Sequence, residues 1–215
     1  IRGTMLEKTS VKTKTFVSFA KTHSQPSLLP MEFTLIDQEL DARYRKILRQ
    51  IHRLQSGGTI DSLKTVGADV SRQIGASYVS LKELASHYET DLQLALLLWN
   101  TRRREEQIVG CMLFPAEMNK EKITQLLQTC LNFEVAEYFG SLYLSKYPGL
   151  SLLAEEWQAS DIPYQQTAIL AAIARHMLVY KDKSKIDISL FKQLIHRNYR
   201  EKYVQLMAER HRFNI

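Results

Sequence analysis

Residues 92–114 read LQLALLLWNTRRREEQIVGCMLF, and their order decides the fold: an apolar run from Leu92 to Trp99, a polar hinge from Asn100 to Arg104, and a second apolar run from Ile108 to Phe114. Neither run has the strict alternation of a half-buried strand, and each is long enough for two helical turns. The stretch predicts a helix, a turn and a second helix packed back on the first. The pattern recurs. Ile123 to Leu131 passes through Asn132 into Val135 to Leu144, Leu150 to Trp157 through Ala159 to Pro163 into Ile169 to Tyr180, and Leu190 to Ile195 through Arg197 to Arg200 into Tyr203 to Ala208. Units that start roughly 27 to 40 residues apart fall in the range of stacked helical repeats, where each pair buries its apolar stripe only against its neighbours. The expected fold is therefore all-α, an α-solenoid in which antiparallel helix pairs stack into a superhelix.

Upstream, Ile36, Leu40, Tyr44, Ile47, Leu48, Ile51 and Leu54 keep a helical period from Phe33 onward until Ser56-Gly57-Gly58 stops it. The other side of that helix carries Arg43, Arg45, Lys46, Arg49 and Arg53, read as a solvated face. Ser80-Leu81-Lys82-Glu83 has the form of a capping box that opens a short helix to Tyr88. Pro115, Pro148 and Pro163 fall at junctions or first turns, where a missing amide hydrogen costs little. Residues 1–30 are rich in Ser, Thr and Lys and show no sustained apolar period, so they are expected to form a flexible basic tail. Within it, Ile1-Arg2-Gly3-Thr4 ahead of Met5 reads as a vector-derived leader. Residues 31–215 are expected to form the repeat domain.

Composition narrows the chemistry. With 215 residues and 45% hydrophobic content the chain can bury one substantial core. No run approaches the roughly 18 to 20 apolar residues of a membrane span, and Phe16 to Ala20 is too short for a signal peptide. A soluble, cytoplasmic monomer with no membrane partner is the expectation. Cys111 and Cys130 lie in apolar helical stretches and read as reduced, buried thiols. The net charge of +6 is uneven: residues 1–30 hold five Lys/Arg against one acid, residues 175–215 ten against four, and residues 31–174 fourteen against eighteen. A basic C-terminal end suits a phosphate backbone, although cations on solvated helix faces are common.

The eight glycines form no phosphate-binding loop, the six histidines are dispersed, and no H-E-x-x-H, C-x-x-C or G-x-S-x-G occurs. No metal and no cofactor are expected. What remains is a constellation on consecutive hinges: Trp99 with Arg102 to Glu106, Asn132 to Glu137, and Trp157 to Gln166. Hinges of a solenoid align on one side, so Glu137, Tyr138, Tyr164 and Gln166 are expected to share a cleft with Phe133. Taken singly, Trp99, Phe133 and Trp157 read first as packing residues, because aromatics at helical spacing usually are.

At these residues the chain resembles the bacterial DNA alkylation-repair family, the AlkD-like alkylpurine DNA glycosylases built of HEAT-like repeats. The resemblance covers roughly residues 35 to 200. It rests on Val79 to Tyr88, on Leu94 to Trp99 followed by Arg104-Glu105-Glu106, on Asn132-Phe133-Glu134-Val135-Ala136-Glu137, on Trp157 to Asp161, and on Gln165 to Leu170. It implies a concave basic face that holds duplex DNA, with aromatic rings, an aspartate and an arginine around a cationic alkylated purine excised without being flipped into a pocket. Residue by residue, Phe133 takes the place of the family's aromatic stacking residue, Glu137 that of its catalytic carboxylate, and Gln166 that of its DNA-contacting arginine. Arg102, Arg103, Arg104, Tyr164, Arg175, Arg197, Arg200 and Lys202 are the residues expected to meet the duplex. A carboxylate at 137 would stabilise positive charge developing on the sugar. Whether the chain excises a base or only binds stays open at this point, as does a second class of function, a scaffold that holds a protein or peptide on its concave face.

Overall fold

A computed structural model describes residues 37–184 and 186–212. The expected basic tail, residues 1–30, lies outside them. Eleven α-helices account for most of the described residues, and no strand occurs among them. In order they are α1 (Gln38–Arg53), α2 (Gly57–Thr65), α3 (Tyr78–Ser86), α4 (Leu92–Asn100), α5 (Arg104–Leu113), α6 (Lys120–Gln128), α7 (Phe133–Tyr138), α8 (Leu150–Trp157), α9 (Pro163–Tyr180), α10 (Ile188–His196) and α11 (Lys202–Arg212). No helix among the described residues is long and apolar enough to cross a membrane.

Local chemistry sets most of the starts. Asp37, Asp91, Asn119 and Asn132 each accept an amide hydrogen from the first turn of α1, α4, α6 and α7, which satisfies a donor the helix leaves orphaned. Pro163 opens α9, where its fixed φ suits the first turn. Two local expectations need correction. The cap of α3 is Ser77, which accepts from the amide of Ser80 at 3.1 Å, so Ser80 sits inside the helix and is not its cap. Ser56-Gly57-Gly58 does end the first helix, but Ser56 also caps α2, which the two glycines begin. A side-chain oxygen at Ser56 outweighs the low helix propensity of the pair.

The second helices of the successive pairs pack in chain order: α3 on α5, α5 on α7, α7 on α9 and α9 on α11. Within pairs, α4 packs on α5, α8 on α9 and α10 on α11. The core they enclose includes Leu94, Leu98, Trp99, Ile108, Ile123, Val135, Phe139, Ile169, Ile173 and Val204, each with no exposed surface. Burying an aliphatic or phenyl side chain of that kind stabilises by about 1.5–3 kcal/mol. Trp99 and Trp157 are both buried, and Trp99 also donates its indole N–H to Thr129 Oγ1 at 2.8 Å. Cys111 and Cys130 are free thiols inside the core, where burial pushes both pKa values up.

Polar side chains lock the hinges. Gln107, wholly buried, donates to the carbonyls of Trp99 and Thr129 at 3.1 and 3.0 Å and accepts from the amide of Leu131 at 2.9 Å. It thereby joins the ends of α4 and α6 and fixes the entry to α7. Beyond Tyr138, α7 widens into a π turn at Phe139–Tyr143 and then tightens into a 3-10 turn at Leu144–Lys146. Gly140 sits in the widened turn, where a Cβ would lie 2.2 Å from the carbonyl oxygen of Ala168 on α9. Only a residue without a side chain permits that approach.

Candidate functional site

The first turns of the second helices carry the polar and aromatic groups. In α5, Glu105 is wholly buried and accepts from the amides of Ile74, Gly75 and Ala76 at 3.2, 3.1 and 3.3 Å. Gly75 makes this possible with a left-handed φ of 74° that bends three consecutive N–H groups toward one carboxylate. Arg104 lies beside it. Its guanidinium donates from Nε and Nη2 to the two oxygens of Glu134 at 2.8 and 2.6 Å, and from Nη1 to Glu105 and to the Ala76 carbonyl at 3.2 and 3.1 Å. Burial opposes the charge on Arg104, but Glu134 and Glu105 outweigh it and raise the pKa further. Arg104, expected on the DNA face, therefore spends its fork on joining α5 to α7.

In α7, the Asn132 cap places Phe133 at the first position and Glu137 one turn later on the same side. Phe133 stacks on Tyr203 of α11, with ring centroids 5.1 Å apart and planes 15° apart. Tyr164 of α9 meets the same phenyl ring edge-on at 5.0 Å and 71°. Glu137 Oε2 accepts from the Tyr203 hydroxyl at 2.7 Å. Arg210 of α11 approaches Oε1 at 3.3 Å and Oε2 at 3.4 Å. Burial, reinforced by the hydrogen bond to Glu137, pushes the Tyr203 phenol up, so it stays a donor across the neutral range. On the other side of α7, Tyr138 stacks on Tyr78 of α3 with centroids 5.4 Å apart. Burial, followed by Glu134, raises the Tyr138 pKa.

Three of the residues expected to share a cleft do meet: Phe133, Glu137 and Tyr164 lie in one cluster. Gln166 does not join it. Gln166 is buried and donates from Nε2 to the carbonyl of Ser160 at 2.8 Å, while its neighbour Gln165 accepts from the Ser160 hydroxyl. Both glutamines hold the linker between α8 and α9. Arg197 binds the same linker from α10, donating from Nη1 to the carbonyls of Gln158 and Ser160 at 2.7 and 2.9 Å and from Nη2 to Asp161 at 2.8 Å. The remaining expected cations differ in exposure: Arg103 is half-buried at the start of α5, whereas Arg102, Arg175, Arg200 and Lys202 are exposed. Arg102 has a φ of 53°, the left-handed region, at the turn between α4 and α5.

The sequence reading does not single out Tyr203, Arg210, Tyr78 or Glu134. One signal was present: Tyr78, Phe133, Tyr164 and Tyr203 each stand in the first turn of α3, α7, α9 and α11. Phe133, Tyr164 and Tyr203 meet in one cluster, whereas Tyr78 stacks on Tyr138 on the other side of α7. Among the described residues no group of three or more His, Cys, Asp or Glu side chains could hold a metal ion. The site is thus an aromatic cluster around one partly exposed carboxylate, at the ends of three neighbouring helices of an all-helical protein. No protein-family model matches the chain, and neither a curated protein nor a solved structure does.

Proposed function

We propose that the protein is an α-solenoid of HEAT-like helix pairs, a divergent relative of the DNA alkylation-repair proteins, that binds duplex DNA and excises cationic alkylated purines through Glu137. The observation that carries this reading is that Phe133 and Tyr164 meet beside the Glu137 carboxylate, with Tyr203 of α11 closing the cluster. Three separate segments supply it, and it includes both residues the resemblance assigns to stacking and chemistry. Aromatic faces attract a cationic ring through their quadrupoles. A carboxylate beside that ring stabilises positive charge as it develops on the sugar and positions the water that attacks it. The chain-order packing of α3, α5, α7, α9 and α11 supports a superhelical stack. Exposed Arg102, Arg175, Arg200 and Lys202 supply charge for phosphate oxygens.

The test follows base release from a duplex containing an N-alkylated cationic purine. Wild-type protein is expected to release the base, and Glu137→Gln to slow release by roughly 100-fold or more, the scale for losing one preorganised charge contact. Equal release by the two proteins would remove Glu137 from the chemistry.

The alternative is a HEAT-like scaffold that holds a protein or peptide on its concave face, a use to which stacked helical repeats are readily put. On that reading the chain is a non-catalytic scaffold, and duplex DNA of any kind leaves it unbound.

A further inference from the structure

We propose that Arg210 and Tyr203 of α11 act as an internal competitor at the Glu137 site, holding the carboxylate and one face of Phe133 until an incoming flat organic cation replaces them. The inference rests on the DNA reading above and concerns how that same site is opened.

Both recognition elements are already occupied, and one helix occupies them. The Tyr203 ring lies nearly parallel to Phe133 at 5.1 Å, in the volume a stacked base would need. Its hydroxyl donates to Glu137 Oε2 at 2.7 Å. Arg210, two turns further along α11 and on the same side, supplies the positive charge at 3.3 and 3.4 Å from the two oxygens. A flat ring and a delocalised cation together are what an alkylated purine would present to these groups.

The two contacts differ in strength. The phenol bond is short, whereas the guanidinium distances exceed the roughly 2.7–2.9 Å of a tight charge-assisted bond. The Arg210 side chain is 55% exposed, so water competes for it, and such pairs are weakly held. Exchange of Arg210 for another cation leaves the partly buried carboxylate neutralised throughout. Departure of the whole helix is not required and would be costly, because Val204, Met207 and Ala208 of α11 lie in the core with no exposed surface. Glu134 and Tyr138 of α7 and His211 of α11 also lie near the pair; Glu134 acts on Tyr203, Glu137 acts on Tyr138, and burial, with Arg210 second, lowers the His211 pKa.

The test exploits opposite signs. Affinities of wild type and Arg210→Ala are measured for one duplex with and without an N7-alkylated cationic guanine, at fixed salt. Arg210→Ala removes a positive charge, so affinity for the unmodified duplex is expected to fall or hold. The ratio of modified to unmodified affinity is expected to rise at least 3-fold, because Glu137 then lacks its competing cation. Adding Glu137→Gln to that variant is expected to return the ratio to one. A ratio that is unchanged or lower in Arg210→Ala, with duplex binding intact, would overturn the competitor and leave DNA binding standing. Absence of duplex binding by both proteins, with melting curves that show both folded, would overturn the DNA reading and the competitor with it.

Discussion

Two adjacent carboxylates at the start of α5 illustrate how residue surroundings set behaviour. Glu105 and Glu106 both sit in the first helical turn, where the positive end of the helix favours them, and both are buried. Glu105 has three backbone amides and Arg104 as partners. Glu106 has less: His52 at 3.7 Å on one side, with Arg103 just ahead of its helix, Glu105 within it and Tyr44 on α1. Burial dominates and raises its pKa above the ordinary value. A carboxyl group raised in the folded state favours folding while it keeps its proton and loses that contribution as pH rises through the raised pKa. Wild-type stability minus that of Glu106→Gln is therefore expected to fall as pH climbs from the ordinary carboxylate range upward, read from urea midpoints at each pH. A difference that is flat with pH would show that burial does not penalise the ionised form. Residues of this kind also explain what could be read in advance. Phe133 and Glu137 were named in advance from the hinge at Asn132 and from the family resemblance, and the Asn132 cap, which puts them one turn apart on one side of α7, is what the structure adds. The role of Arg104 was not legible, since Glu134, which takes its fork, lies thirty residues away in the chain.

At the scale of the element, the helix pairs were legible from the alternation of apolar runs and polar hinges. Their ends were less so, because single hydrogen bonds decide them: Ser77 against Ser80 at α3, and Ser56 against two glycines at α2. The turn beyond Tyr138 gave no warning in the sequence. There α7 widens to let Gly140 press against the backbone of Ala168, and the contact sets how closely α7 and α9 approach beneath Phe133 and Tyr164. Gly140→Ala puts a Cβ where a carbonyl oxygen lies 2.2 Å away, and neither backbone can yield alone. The expected cost is about 3 kcal/mol, the upper part of the range for overpacking. That corresponds to a fall of roughly 6–12 °C in the melting midpoint for a domain of this size. A midpoint within a degree or two of wild type would mean that the helices part easily at this crossing.

For the whole molecule, the charge distribution and the row of second helices bear on one question. Residues 31–174 are slightly acidic, while residues 175–215 carry ten Lys/Arg against four acids. Two of the expected cations are spent on the protein itself: Arg104 joins α5 to α7, and Arg197 ties down the linker after α8. Gln166, standing where a DNA-contacting arginine is expected, is buried against the same linker. Side-chain direction of this sort depends on loop geometry, which apolar periodicity does not encode. Of the cations expected to meet the duplex, Arg102, Arg175, Arg200 and Lys202 are left exposed, and each can neutralise a phosphate. The most direct measurement is the affinity of the wild-type protein for a short unmodified duplex across a salt series. If four exposed cations meet phosphates, log affinity should fall against log salt with a slope of about −3 to −4. Binding that is absent, or that holds constant as salt rises, would contradict the DNA reading and leave the scaffold.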